Sequence, residues 1–568
     1  MYTILENVRI LISLLKQYEI KKLVLSPGNR DVPFVHSVED DPFFECYSIV
    51  DERSAAYFAM GLSLSSNEAV GFACTSSTAT CNYMPALIEA SKRNARLVAL
   101  TADRENYYLY QFEDQKIKQT GMYSPYVKYC ADLPVIRNEL DRWMCIRTAN
   151  EALTKLSSDV PGPVHINFQA NITDKFPRAE LETVRKVETV QLNAFSHNVD
   201  FYHKALSNKN VMVIVGEMYY DNEELIRGLS AFQSSYDAVV ISDHFSNMND
   251  SFLDSALLLE SISGEEFEKL TPDIVITVGG HIWSSIKYKL RNSKAKFEHW
   301  RISDDGIIRD GLKRLTTVFE FSPVLFFSRL STDSNASGQY YTRWEERIKK
   351  VKLPDLRFSN FSVIRKTMSM IPGDSIVHCS ILNAARLNAF SSYSHKNIKT
   401  YCNFGAYGID GCLSTFLGES TGESQLSFLI IGDLSFLYDL NAMNCRLNNR
   451  QRILLINNHA GSEFHTSFGI KRFPNINLHM AAGHQSNLVD AIDNGEIEYC
   501  SVSNQGELEK ILPSFVSDSS RPILLEVFTQ AQVDAEVLNE FYKMNEVLSL
   551  KMRVRREMIK LAKHIVRL

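Results

Sequence analysis

Leu426-Ser427-Phe428-Leu429-Ile430-Ile431-Gly432-Asp433-Leu434 is an apolar run that ends on a glycine and a carboxylate. About 25 residues on, Ile453-Leu454-Leu455-Ile456-Asn457-Asn458 is a second apolar run that ends on two amides. Short apolar runs bounded by turn residues are strands buried on both faces of a parallel sheet. The unit therefore reads strand, helix, strand, with oxygen ligands at both strand ends. A carboxylate and a side-chain amide are hard ligands that suit Mg²⁺, which binds through few protein groups together with a phosphate. Gly432 lets the backbone come close to a diphosphate, and the helix N-terminus behind it favours that anion. An ordinary βαβ unit with a Gly-Asp turn and an Asn-Asn loop would read the same way, so the rest of the chain has to decide.

Near the other end, Ile49-Val50-Asp51-Glu52-Arg53-Ser54-Ala55-Ala56 puts acids straight after a short apolar strand and before a small-residue helix, Ala55 to Leu62. Ligands of α/β sheets sit at the C-terminal ends of strands. A carboxylate there, Glu52, is what a cofactor ring nitrogen would need. A surface Glu paired with Arg53 is the plain alternative.

Strand patterns at Lys22–Leu25, Glu45–Val50, Ala69–Cys74, Leu97–Thr101 and Val164–Asn167 alternate with helical ones, which predicts a parallel sheet covered on both faces. The charged stretch Asp174 to Glu188 reads as a linker. A second α/β unit opens at Asn210–Gly216 and continues with Ala238–Ile241 and Asp273–Gly280, whose paired glycines could cradle a phosphate although the G-x-G-x-x-G spacing is absent. Leu330 to Gln339 reads as a second linker. A third unit carries strands at Ser375–His378, Leu426–Ile431, Ile453–Ile456 and Pro522–Val527. The similar size and alternation of the first and third units fit an old duplication.

With 568 residues, the chain is too long for one core. A net charge of −6 gives no reason to expect nucleic acid as a partner. The ten Cys include no C-x-x-C pair, so they read as reduced thiols of a cytoplasmic protein and not as a disulfide framework or zinc site. The N-terminal residues read as an amphipathic helix through Tyr18 and not as a signal peptide, and no window is long and apolar enough to span a bilayer. The basic run from Lys551 to Arg567 reads as a solvated terminal helix, with a surface helix drawn to anionic lipid as the alternative.

The Gly-Asp…Asn-Asn pattern with an upstream Glu resembles the thiamine-diphosphate-dependent enzymes, and within them the MenD-type synthases of menaquinone biosynthesis. The resemblance is carried by Ser26–Arg30, Asp51–Gly61, Cys74–Ala79, Asn82–Ser91, Leu100–Arg104, Asp114-Gln115, Gly162–Asn167, Gly408–Gly411 and Gly432–Leu437, in the family's order. It implies three doubly wound parallel-sheet α/β domains: pyrimidine-binding (1–180), central (190–335) and diphosphate- and Mg-binding (350–550), followed by the basic helix 551–568. It implies thiamine diphosphate and Mg²⁺ as cofactors. Glu52 would hold the pyrimidine ring nitrogen and so promote loss of the thiazolium C2 proton. Asp433, Asn458 and the backbone carbonyl of Ala460 would bind the metal. Ile409 would prop the cofactor in its bent shape, and Ser76, Thr78, Gly432, Leu434, Ser435 and Gly461 would surround it. Active sites would lie between subunits of a homodimer or tetramer.

The implied reaction is decarboxylation of a 2-oxo acid, 2-oxoglutarate in the resembled family, and addition of the acyl carbanion to an acceptor, isochorismate in that family. Carboxylated substrates call for Arg, whose planar fork binds carboxylate in a bidentate manner. Arg30 and Arg104 stand where the family places Arg, with Asn29 and Gln111 as polar neighbours. The departures concentrate on the substrate side. The family's Asn-Arg pair is Asn403-Phe404 here. A further Arg is matched by Arg386 only if its loop has shifted register. An apolar pair after the metal-binding Asn is Glu463-Phe464, which sets a carboxylate close to the thiazolium. A Lys-Arg pair of the central domain is Ser285-Ile286, with Lys287 adjacent, and Tyr110 replaces an Asn. Two enzyme readings stand: a MenD-type synthase with a shifted pocket, or a MenD-like paralogue acting on another 2-oxo acid or acceptor, in surface-polysaccharide or other secondary metabolism. A third is a catalytically inactive scaffold, against which the joint presence of Glu52, Asp433 and Asn458 argues.

Overall fold

The computed structural model describes residues 1–158, 160–171, 173–219, 223–248, 252–282, 285–332, 336–391, 397–466, 473, 475–485 and 496–545. The expected basic helix 551–568 lies outside the described residues. The strands form three sheets in which every named pairing is parallel, with helices between most successive strands. The class is α/β, as the alternation predicts. By its contacts the chain divides into two compact units, Met1–Leu192 with Asp305–Glu320, and Asn193–Asp304 with Phe321–Leu568.

In the first unit the strands are β1 (Lys22–Ser26), β2 (Glu45–Ser48), β3 (Val70–Cys74), β4 (Leu97–Asp103), β5 (Cys130–Leu133) and β6 (Val164–Gln169), in the order β2-β1-β3-β4-β6-β5. Successive residues of the central strands enter opposite cores. Leu23, Leu25, Ala73, Val98, Leu100 and Ile166 pack with the helix Glu6–Gln17 and with Glu139–Thr154. Val24, Phe72, Cys74, Leu97 and Ala99 pack with Glu52–Ser66 and Met84–Lys92. The small residues Ala55, Ala56 and Ala59 let the Glu52–Ser66 helix lie close to the sheet. β7 (Glu188–Gln191) begins at the last residue of the charged stretch read as a linker; it pairs in parallel with β13 (Leu315–Glu320), in the same unit.

In the second unit β8 (Val211–Val215), β9 (Ala238–Ser242), β10 (Leu253–Asp254), β11 (Ile274–Val278) and β12 (Glu298–Ile302) lie in the order β10-β9-β8-β11-β12. The paired glycines after β11 pack closely against the chain at Glu217: a Cβ on Gly279 would stand 3.1 Å, and one on Gly280 3.2 Å, from the Glu217 carbonyl oxygen. The Gly280 N–H donates to the Glu217 carbonyl at 2.9 Å and the Glu217 N–H to the His281 carbonyl at 2.8 Å. These amides are spent on each other, so the phosphate cradle is not formed there.

The same unit holds β14 (Ile376–Cys379), β15 (Lys399–Cys402), β16 (Ser427–Gly432), β17 (Gln451–Asn457), β18 (Glu498–Val502) and β19 (Ile523–Phe528), in the order β15-β14-β16-β17-β19-β18. Counted from its own first strand, this order repeats that of the β1–β6 sheet, which supports the duplication. In both sheets the order reverses between the first and third strands. At such a switch point the loops leaving the strands diverge and open a crevice. The segments after β1 and β3 hold Asn29, Arg30, Ser76 and Thr78, and those after β14 and β16 hold Arg386 and Asp433; Glu52 follows β2, Arg104 follows β4, and Asn458 follows β17.

Candidate active site

The third sheet builds a cavity of about 300 Å³ at the C-terminal ends of β14, β16 and β17. Gly432 ends β16 opposite Ile456 of β17, so Asp433 and Asn458 emerge side by side. Asp433 is 4% exposed. Its Oδ1 accepts from the Leu434 N–H at 2.7 Å, and its Oδ2 from the Asn458 N–H at 3.1 Å and from His484 Nε2 at 3.2 Å. Burial raises its pKa, and the backbone donors and His484 counter that rise. A buried carboxylate held in this way gains from a cation.

Asn458 is aimed by a residue with no motif of its own. Its Nδ2 donates to Asp534 Oδ2 at 2.9 Å, while its Oδ1 accepts from the Ala460 N–H at 3.2 Å. Asp534 also accepts from the Thr529 hydroxyl at 2.9 Å and from the Asn360 N–H at 2.8 Å, and burial pushes its pKa up to about 6. With the amide nitrogen tied to Asp534, the Asn458 oxygen carries the 3.2 Å bond from the Ala460 N–H and keeps a lone pair for a cation. Among the described residues no group of three or more His, Cys, Asp and Glu converges on one point. A cation here would therefore take Asp433, the Asn458 oxygen, a backbone carbonyl such as that of Ala460 and oxygens of its ligand, which is the Mg²⁺–phosphate pattern. A Cβ built on Gly432 meets nothing within 4 Å, so the backbone borders open space where a diphosphate could approach. The residues fit the cofactor.

Ile409, Leu434, Ser435, Gly461 and Phe464 line the same cavity. The Ser435 hydroxyl is spent on the Ile409 carbonyl, which fixes the segment that would prop the ring. Glu463 lines the cavity too, and it is not free. Arg386, on the helix Asn383–Ala389, grips it with both arms: Nη1 to Oε2 at 2.7 Å and Nη2 to Oε1 at 3.1 Å, with Nη1 also 2.9 Å from Asn383 Oδ1. Phe404, expected at the substrate, is 2% exposed and is not among the cavity's lining residues. Its ring meets Phe245 edge-on at 4.7 Å and stacks on His281 at 5.3 Å. Edge-on and stacked ring contacts of this kind hold the Phe404 side chain in that nest.

The first sheet carries the other candidates. Glu52 opens its helix behind the N-cap Asp51, whose Oδ1 accepts from the Ser54 N–H at 2.7 Å. The Glu52 Oε2 accepts from Asn82 Nδ2 at 2.8 Å. Gly28 is required where it stands, because a Cβ there would lie 2.4 Å from Thr75 Cβ. That close approach lets the Arg30 N–H reach Thr75 Oγ1 at 3.1 Å. Arg30 is 5% exposed and its Nε has no hydrogen-bond partner. Burial and then the nearby Arg104 lower its pKa. Arg104 pairs with Glu113 at 2.5 Å. Arg104 already has an acidic partner, so the buried Arg30, with its orphaned nitrogen, is the guanidinium that an anion would serve most.

Ser76 is buried with a hydroxyl that has no partner, while Thr78, Asn29 and Gln111 are exposed. The loop between Ser76 and Thr78 is pinned by Gln119, which the pattern gave no reason to choose. Gln119 accepts from the Ser77 N–H at 2.8 Å and donates to Asn167 Oδ1 at 3.0 Å and to the Ala102 carbonyl at 3.1 Å. Ser77 has φ +72°, a region costly for a residue with a side chain. Beside it, Lys116 pairs with Asp103 at 2.9 Å, both fully buried.

Comparison with known proteins agrees with this geometry. Residues 6–122 match the family described as thiamine pyrophosphate enzyme, N-terminal TPP binding domain. Across 561 residues the chain is 33% identical to the 2-succinyl-5-enolpyruvyl-6-hydroxy-3-cyclohexene-1-carboxylate synthase of Bacteroides fragilis, covering 95% of this chain and 99% of that protein. It is 33% identical over 558 residues to the synthase of the same name from Phocaeicola vulgatus (95% and 99% covered). With that of Porphyromonas gingivalis it shares 30% over 574 residues (95% and 97% covered).

Proposed function

The chain belongs to the 2-succinyl-5-enolpyruvyl-6-hydroxy-3-cyclohexene-1-carboxylate synthase family of thiamine-diphosphate-dependent enzymes, and on that premise we propose the following division of labour. The enzyme decarboxylates a 2-oxo acid and adds the resulting acyl carbanion to an acceptor. The observation that carries the site assignment is Asp433 and Asn458 side by side at the ends of adjacent strands, joined by a 3.1 Å hydrogen bond at the mouth of a cavity with open space beside Gly432. Asp433, Asn458 and the Ala460 carbonyl hold Mg²⁺ and, through it, the diphosphate. Ile409 and Leu434 shape the ring's seat. Glu52 bonds the aminopyrimidine nitrogen. When bound, thiamine diphosphate supplies the electron sink that a 2-oxo acid needs to lose CO₂.

Arg30 and Arg104 take carboxylate from substrate, with Asn29 and Gln111 beside them. Residues 1–180 form the pyrimidine-binding domain, 190–335 the central domain and 350–550 the diphosphate-binding domain. Two copies of the chain, or a dimer of such pairs, share their sites, one giving Glu52 and the other Asp433 and Asn458. A cytoplasmic setting is proposed on the ten free cysteines. No described helix is long and apolar enough to cross a membrane.

On the first reading, by family resemblance, the donor would be 2-oxoglutarate and the acceptor isochorismate. A second reading, a paralogue within the same reaction class that uses another 2-oxo acid, is favoured by one observation, the capture of Arg386 by Glu463. The test is CO₂ release from a panel of 2-oxo acids with thiamine diphosphate and Mg²⁺, with and without isochorismate, the products read by mass spectrometry. Release that requires both cofactors is expected. No release from any acid, or release indifferent to the cofactors, would refute the reaction class.

A further inference from the structure

The cavity at Asp433 is mostly apolar, walled by Ile364, Ile381, Leu382, Ile409, Ile456 and Phe464. Its only charged lining residues, among those described, are Asp433 and Glu463, both acids. Asp433 is engaged at the metal corner. Arg386 stands behind Glu463 and donates to both of its oxygens. A bidentate Arg–carboxylate pair is geometrically saturated in those two arms. A third group bearing negative charge would meet Glu463 first and would have to break that pair to reach the guanidinium. Phe404, the other position at which the family has a cation, is buried against Phe245 and His281.

Resting on the proposed function, we infer that Glu463 is a specificity-determining residue: it acts as an internal substitute for a substrate carboxylate, so the donor is a 2-oxo acid whose side chain carries no negative charge. The chain thus departs in donor from the relatives whose names contain a succinyl group. Pyruvate and 4-methyl-2-oxopentanoate represent the accepted class, and 2-oxoglutarate represents the rejected one. A like charge set against Glu463 in a partly buried site disfavours binding by at least about a hundredfold.

Two readouts test this on the full-length enzyme loaded with thiamine diphosphate and Mg²⁺. The first is kcat/KM for CO₂ release from the three acids, in the wild type and in Glu463→Leu and Glu463→Gln. The second is the calorimetric affinity for acetylphosphonate and succinylphosphonate, which mimic pyruvate and 2-oxoglutarate. Wild type should prefer the uncharged acids and acetylphosphonate. Glu463→Leu, which releases Arg386, should move the ratio toward 2-oxoglutarate and succinylphosphonate by about a hundredfold or more, and Glu463→Gln in the same direction by less. Wild-type preference for 2-oxoglutarate, or ratios unmoved in both variants, would overturn the inference while leaving the reaction class standing. No CO₂ from any acid would refute the reaction class, and a wild-type enzyme that binds both phosphonates equally would overturn the inference independently of turnover.

Discussion

Asn458 can present its oxygen to a metal because Asp534, 76 residues further along the chain, holds its nitrogen. The Asp433 and Asn458 positions are legible in the sequence, since each ends an apolar run. Asp534 is not, because nothing local distinguishes it from any acid early in a helix, here Ala531–Asn545. Partners of this kind typically govern metal affinity by about 10–100-fold. Asp534→Ala should therefore weaken Mg²⁺-dependent binding of thiamine diphosphate by about that factor in calorimetry, and undiminished affinity would remove Asp534 from the account. Asp433→Ala should abolish the Mg²⁺ dependence altogether. Glu52→Gln keeps the hydrogen bond to Asn82 within reach but loses the charge. Turnover should fall by about 10²–10⁴-fold, with cofactor affinity close to that of the wild type; turnover near the wild-type rate would contradict the role given to Glu52. Glu463 was legible as a misplaced carboxylate, but its pairing with Arg386 was not, because the two are 77 residues apart and meet only in the fold.

At the level of elements, the strands that announce themselves are those buried on both faces, such as β4 and β17. Those the pattern passed over are edge or mixed-polarity strands. β5 is Cys-Ala-Asp-Leu and ends its sheet's order, β15 and β18 flank theirs, and β12 carries His299 and Arg301 inside, with His299 Nε2 2.9 Å from Thr277 Oγ1. Polar residues that are buried by pairing erase the apolar signal. β6, legible in the sequence as Val164–Asn167, also carries a buried polar residue: His165 is fully buried, with Nε2 2.7 Å from Thr101 Oγ1 and its ring edge-on to Tyr123 at 4.6 Å. Burial pushes its pKa from 6.5 down to about 3. The unfolded chain binds that proton more readily than the folded one. The stabilising contribution is thus complete above about pH 6.5 and is lost as pH falls, at roughly 1.4 kcal/mol per unit until about pH 3. Between pH 7 and pH 5, His165→Gln should lose about 2 kcal/mol less than the wild type in urea unfolding; equal losses would show that His165 is not the titrating group. Gly28→Ala belongs to the same scale. It drives the loop after β1 against Thr75 and should displace Arg30, lowering kcat/KM while the cofactor still binds.

On the scale of the whole molecule, two sheets of one strand order each carry proposed site residues at the C-terminal ends of their strands, Glu52, Arg30 and Arg104 on one, Asp433 and Asn458 on the other. Their separate places in the chain were visible in the sequence as two distant motifs, whereas the repeated strand order became visible only with the sheets. On the proposed roles neither half would do the chemistry alone, since Asp433 and Asn458 stand on one sheet and Glu52 on the other. The central claim is that the two halves serve one reaction, shared between copies. Its most direct test is to co-refold or exchange subunits of two inactive variants, Glu52→Gln and Asp433→Ala, and to measure thiamine-diphosphate-dependent CO₂ release. In a mixed pair, one site combines the intact Glu52 of one copy with the intact Asp433 of the other. Statistical exchange in a symmetric dimer should then restore about a quarter of wild-type activity. Exchange confirmed by mass spectrometry without any return of activity would contradict the account.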